Sequence, residues 1–304
     1  MPGGSALESR GEHDPREPVA GPRAQAEMRC GPLVSLTMGA GQAMKARAQD
    51  VVRAAHVAVL DRGLPQKVAV YLHSIEPHEY EAFRRMIAYF VEHGYEFSSP
   101  ADFTADPSCK KIFVSFDDCY VSWFNALSFF GELGHSFTFY VNTGCLRDRS
   151  DARAIEAYFD RLEYEGVRIP LSSDEVSELA GAGHVIGAHG HTHRSLSSLG
   201  REQAEMDIRT SKTELEDILG SPVRHFSYPF GMRRHFNREL RSYCRNLGFA
   251  TVADAIPGMQ HAPQSPFRLN RSLWRLDLSV DTNLENLRID GRIFERVTGR
   301  SAIG

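Results

Sequence analysis

Between Lys67 and Arg275 the chain alternates short β-prone apolar runs with stretches whose apolar residues recur at helical spacing, and this alternation restricts the fold more than any other feature. Lys67–His73 is the first such run. Phe83, Met86, Ile87, Phe90 and Val91 then mark a helix over about Pro77–His93, which Gly94 should stop. Ile112–Phe116 reads as a strand, Ser122–Leu133 as a helix closed by Gly134, and Phe137–Val141 as the next strand. An inserted helix is expected over Asp151–Arg168. Ser172 and Glu175 form a capping box that opens another helix, running to about Ala182. Strands at His184–Ala188, Arg224–Tyr228 and Phe249–Ala253 are separated by helices over Arg201–Leu219 and Asn237–Leu247, and Leu273–Leu278 reads as a last strand. Such alternation yields a parallel sheet with right-handed crossovers, and about seven units suit a closed or partly open barrel better than a flat sheet. The expected class is therefore α/β.

The ends read differently. Residues 1–30 are rich in Gly, Pro, Arg, Glu and Ala without periodicity and are predicted to be disordered. Gln42–Val59 and Asn283–Val297 could each form a helix. The domain reading is an extension over 1–66, a catalytic domain over 67–275 and a tail over 276–304. A net charge of −4 gives no electrostatic case for nucleic acid or an anionic membrane. No apolar run is long enough for a membrane span. The five cysteines are scattered without a Cys-x-x-Cys pair, which points to a reducing compartment and away from a Cys-ligated metal. With no signal-like apolar segment at the N-terminus, the expected location is cytoplasmic.

Chemistry concentrates at three places. The Ile112–Phe116 strand ends in adjacent carboxylates, Asp117 and Asp118. A strand interior does not tolerate two neighbouring acids, but at a C-terminal strand end both can serve one pocket, where α/β folds build their sites. Ile186–Ala188 delivers His189, and His193 follows four residues on, the spacing that brings two imidazoles to one point on a helical turn. By itself that spacing also fits two surface histidines; beside the acid pair it points to a divalent metal. Zinc suits a His/His/carboxylate set, and cobalt, nickel or manganese would also accept it. One acid can bind the ion while its neighbour stays free as a base. The third place is Phe226-Ser227-Tyr228-Pro229-Phe230-Gly231, a tight turn whose Tyr228 N–H could donate to a developing oxyanion.

Together Ser115–Asp118, the Ile186–His193 segment and Phe226–Gly231 resemble, in order and separation, the first three motifs of the polysaccharide deacetylase (NodB-homology) family. Leu269-Asn270-Arg271 resembles its late Leu-Pro-Arg element, and the likeness extends over about Lys67–Arg275. It implies a deformed (β/α) barrel and metal-dependent hydrolysis of an N-acetyl group on a carbohydrate substrate. On this reading Asp117 is the base and Asp118, His189 and His193 hold the metal. Tyr228 stabilises the oxyanion, Arg271 orients Asp117, and Tyr228, Pro229, Phe230 and Gly231 border the substrate. Several positions depart from the pattern. Cys119 stands where Gly is usual, Gly190 where Ser or Thr is common, Arg194 where Pro is usual, and Ser227 where many members carry Arg. There is no late Leu-x-His segment to supply a general acid, for which His191, His235 and His261 are the candidates. Hydrolysis of another amide on the same site is an alternative activity. So is a metal- or glycan-binding protein that has lost turnover.

Overall fold

The computed structural model describes residues 64–105, 109–257 and 265–288. All lie in one of the two compact units of the chain, Ala48–Gly304. The extension over residues 1–30, the Gln42–Val59 helix, His261 and the outer part of the Asn283–Val297 helix fall outside the described residues.

Every strand pairing in the sheet is parallel. The strands are β1 (Lys67–Leu72), β2 (Glu96–Phe97), β3 (Lys111–Asp118), β4 (Thr138–Val141), β5 (Val185–Ala188), β6 (His225–Ser227), β7 (Thr251–Ala253) and β8 (Ser272–Leu273). Seven of them run in the order β7-β6-β5-β4-β3-β1-β8, and the short β2 pairs with the base of β3. Helices Tyr80–Glu92, Leu127–Leu133, Ser173–Gly181, Arg201–Leu219 and Arg238–Asn246 lie between strands, as right-handed crossovers require. The sheet curls until its ends share one segment. Leu269 bridges Ala253 of β7, and three residues later Ser272 and Leu273 pair with Val70 and Tyr71 of β1. This is the deformed (β/α) barrel expected of the chain.

Period-two alternation sorts the strand residues into two cores. Val68, Val70 and Leu72, then Ile112, Val114 and Phe116, then Phe139 and Val141, join the large cluster under the helices. Their neighbours Ala69, Phe113, Tyr140 and Ala253 meet Leu269 in a second, smaller cluster that fills the lumen. Phe103, from the Pro100–Ala105 helix, belongs to the same cluster. By the same parity Tyr71, Ser115, Asp117, His189 and Ser227 face inward, above that plug. Gly187 leaves room for the lumen: a Cβ there would sit 2.5 Å from Tyr140 Cδ1.

Several elements are shorter than the sequence predicts. The Asp151–Arg168 helix occupies only Ala152–Arg161, because the backbone turns left-handed at Glu163 (φ 52°). The Ser122–Leu133 helix is divided at Ala126 into Ser122–Asn125 and Leu127–Leu133. The last strand stops at Leu273. Trp274 N still donates to Tyr71 O, but Arg275 N turns to the Asn283 side chain, which begins the link to the Val280–Leu287 helix. The Ser172/Glu175 capping box and the left-handed Gly134 cap form as expected.

Candidate active site

Asp117 and Asp118 end β3, buried at 4% and 3% exposure. Strand parity alone would send them to opposite faces. Asp118 instead adopts φ 90°, and this left-handed turn lets both carboxylates serve the mouth of the barrel. The positive φ thus falls on Asp118 itself, one residue before Cys119, which stands where Gly is usual.

Asp118 is shared between three partners. Its Oδ1 lies 3.4 Å from His189 Nε2 and 3.1 Å from His193 Nε2, while Oδ2 accepts from the Tyr120 hydroxyl at 3.1 Å. One donor atom from each of Asp118, His189 and His193 falls within 4.8 Å of the others. Tetrahedral ligation at about 2.1 Å separates donor atoms by roughly 3.4 Å, so the trio has the spacing and chemistry of a divalent-metal centre. Ser227 O accepts from His189 Nδ1 at 2.8 Å, which fixes the tautomer and turns the Nε2 lone pair toward Asp118. Burial pushes the Asp118 carboxyl up, yet the two imidazoles outweigh it and hold it well below the usual range.

The helical turn expected between His189 and His193 is absent. Gly190 (φ 78°) and His193 (φ 49°) are both left-handed, and the segment is a tight loop that brings the two rings to 5.5 Å.

Asp117 meets a cation rather than the trio. Arg271 Nη1 donates to Oδ1 at 2.6 Å and Nη2 to Oδ2 at 2.7 Å. The remaining guanidinium donors reach Ser115 Oγ, Ser227 Oγ and the Asp254 carbonyl. The guanidinium lies between the rings of Tyr71 and Tyr140, 5.0 and 5.1 Å from their centroids. Ser227 therefore leaves no gap, because Arg271 supplies the cation from the barrel-closing segment. Burial raises the Asp117 carboxyl, but Arg271 and His189 more than reverse this and keep it below the ordinary value. His189 Nε2 lies 4.0 Å from Asp117 Oδ2, so the free acid adjoins the trio without being part of it.

These groups floor a cleft of about 760 Å³. Its walls include His73, Ser74, Tyr120, Phe230, Gly231 and the 161–165 segment. Phe230, 44% exposed, places its ring 4.9 Å from that of His193. Gly231 (φ 60°) packs so tightly on Ala255 that a Cβ would come within 2.1 Å of it. Tyr228 and Pro229 do not line the cleft. The Tyr228 ring stacks on Phe236 at 4.4 Å, so any part they take is through the backbone.

Of the expected general acids, His191 is turned away, its Nδ1 lying 3.0 Å from both Glu214 Oε2 and Thr143 Oγ1. His235 Nδ1 lies 2.7 Å from Ser195 Oγ, and neither histidine lines the cleft. His73 does. It follows β1 on the same inward parity as Ala69 and Tyr71, is exposed, and lies close enough to Asp118 to help hold that carboxyl ionised. The parity of β1 was the available signal, whereas the expected acids all lay later in the chain.

Residues 104–252 match the family model described as polysaccharide deacetylase. Among solved structures, IcaB from Ammonifex degensii is similar over 74% of this chain and 98% of its own, with 20% identity and a TM-score of 0.59. The Streptococcus pyogenes deacetylase PplD, in complex with acetate, is similar over 74% and 97%, with 18% identity and a TM-score of 0.57. BC0361, a polysaccharide deacetylase from Bacillus cereus, is similar over 73% and 68%, with 18% identity and a TM-score of 0.57. No curated protein matches the chain in sequence. The barrel is that of the NodB-homology class, and the segment over residues 104–252 is similar in sequence to the polysaccharide deacetylase family. Among the described residues no helix is long and apolar enough to cross a membrane.

Proposed function

We propose that this protein removes the N-acetyl group from an acetamido sugar or glycan precursor, using a divalent ion held by Asp118, His189 and His193. The observation that carries the reading is the division of labour between neighbouring acids: Asp118 faces two imidazoles, whereas Asp117 faces an arginine and open cleft. A bound ion, zinc in the first instance, supplies Lewis acidity to the acetamide oxygen and to water.

The chain's own groups do the rest. Asp117, kept ionised by Arg271, takes a proton from the attacking water. The Tyr228 N–H donates to the oxygen as the carbonyl carbon becomes tetrahedral. His73 gives a proton to the departing nitrogen, the C–N bond breaks, and acetate and a free amine result. Phe230 offers an apolar face to the sugar ring. A protein that merely bound metal or glycan would have no use for a non-ligand acid fixed by a buried arginine, and His73 answers the missing late histidine. Metal analysis of the purified protein beside acetate release from a panel of acetamido sugars tests the proposal. Bound metal with no acetate from any of them, but release of formate or cleavage of another amide, would favour the alternative hydrolase.

A further inference from the structure

The loop carrying His189 and His193 is not helical, so the separation of the two rings is set by the loop's own hydrogen bonds. Its carbonyls are held from one side. Asn142 Nδ2 donates to His189 O at 2.6 Å and Gly190 O at 3.0 Å, Gly144 N to His191 O at 2.9 Å, and Arg161 Nη2 to Thr192 O at 3.3 Å. Its donors are held from the other side by one residue. Asp207, in the middle of the Arg201–Leu219 helix, accepts from His191 N at 2.8 Å through Oδ1. Through Oδ2 it accepts from Thr192 N at 3.0 Å and Thr192 Oγ1 at 2.6 Å. Asp207 is buried and forms no ion pair with Lys or Arg among the described residues. A carboxylate in that position is costly unless hydrogen bonds compensate it, and the compensation comes from this loop. Gly190 is shaped to match: it sits at φ 78°, and a Cβ there would lie 2.8 Å from Asp207 Oδ1.

We propose that Asp207 is a positioning residue for the metal centre, fixing the separation of His189 and His193 and so the affinity of the site from outside the cleft. The inference rests on the reading that Asp118, His189 and His193 hold a divalent ion. An amide cannot replace this carboxylate, because both of its oxygens accept. In Asp207→Asn one of them becomes an NH₂ directed at N–H or O–H donors.

The test uses the full chain stripped of metal, titrated with Zn²⁺ against a chromophoric chelator, alongside thermal unfolding of the metal-free protein. Groups that orient metal ligands typically contribute about 10- to 100-fold to affinity, and D207N is expected to weaken zinc binding by that factor. The loss should exceed anything explained by a change in the metal-free melting temperature. Gly190→Ala, which presses on the same carboxylate from the loop side, should also weaken binding and serves if D207N does not fold. A D207N protein that melts earlier but binds zinc as tightly as the native chain would make Asp207 merely structural and overturn the inference. A native chain that binds no zinc would instead remove the metal reading beneath it.

Discussion

Arg271 grips Asp117 with both prongs of its guanidinium, 154 residues away in the chain, and both groups are buried beneath the cleft. The pairing depends on barrel closure, since Arg271 lies on the segment that joins Ala253 to β1. Lysine cannot present two parallel donors while also serving Ser115 and Ser227. Arg271→Lys should therefore lower kcat/KM by about 100-fold, the usual cost of a misplaced catalytic group. The direction of the pH effect follows from the forces on Asp117. Burial raises its pKa and Arg271 lowers it, so a weaker partner lets the pKa climb and moves the acid limb of the rate profile to higher pH. A limb that stays in place would show that Arg271 does not tune this carboxyl.

The two neighbouring acids should separate cleanly on substitution. Asp118→Asn takes the negative charge from the trio and His193→Ala removes one of its donors, and either should strip the metal, read by elemental analysis of the purified variant. Asp117→Asn should keep the metal and lose turnover by about 100- to 10,000-fold, the range for a missing general base. Equal metal loss in Asp117→Asn would mean that the roles are assigned wrongly.

Much of this was legible before any coordinates. Alternating apolar runs yielded six of the seven strands on the barrel path, because parallel strands buried on both faces leave a strong signal in sequence; the two-residue β8 meets the expected Leu273–Leu278 strand only at Leu273. Asp117, Asp118, His189, His193 and Arg271 were all identified, and the structure brings them together. What stayed hidden was conformational. A four-residue spacing is compatible with a helical turn and with a tight loop, and only Gly190 and His193 at positive φ decide between them. Arg271 was expected to orient Asp117 in place of the arginine that many members carry at the Ser227 position, but its reach to both carboxylate oxygens and to Ser227 itself appears only once the barrel closes. Tyr120 and the 161–165 rim carry no motif; they matter only because the backbone folds over the cleft there.

His73 stands on parity and position, and its role separates from that of the trio. His73→Asn should leave metal content and melting temperature unchanged while lowering kcat by about 100-fold or more, the scale of a lost proton donor. Full activity in the variant would exclude His73 as the proton donor and favour His235, whose ring lies 5.0 Å from that of Phe230.

Asp254 gives a pH test of the fold itself. Its carboxyl is buried, and burial raises its pKa from 3.8 to about 7 despite Arg241, Arg271, the Ile256 N–H and Asn270. Tyr71 lies near enough for the two groups to repel when both are charged. The folded protein thus keeps a proton on Asp254 that the unfolded chain gives up near 3.8. The associated stability is complete below the unfolded value and is lost as pH rises through about 7. A displacement of that size corresponds to a few kcal/mol at most, at about 1.4 kcal/mol per pKa unit. Asp254→Asn carries no charge at any pH and lacks this slope. Native and variant should melt at similar temperatures at low pH, with the variant the more stable by several degrees in alkali. Thermal unfolding of both metal-free proteins across that interval decides the matter, because the other groups cancel in the difference between the curves. Two parallel curves would mean that Asp254 is already ionised in the folded barrel, its charge carried by Asn270 and the neighbouring arginines.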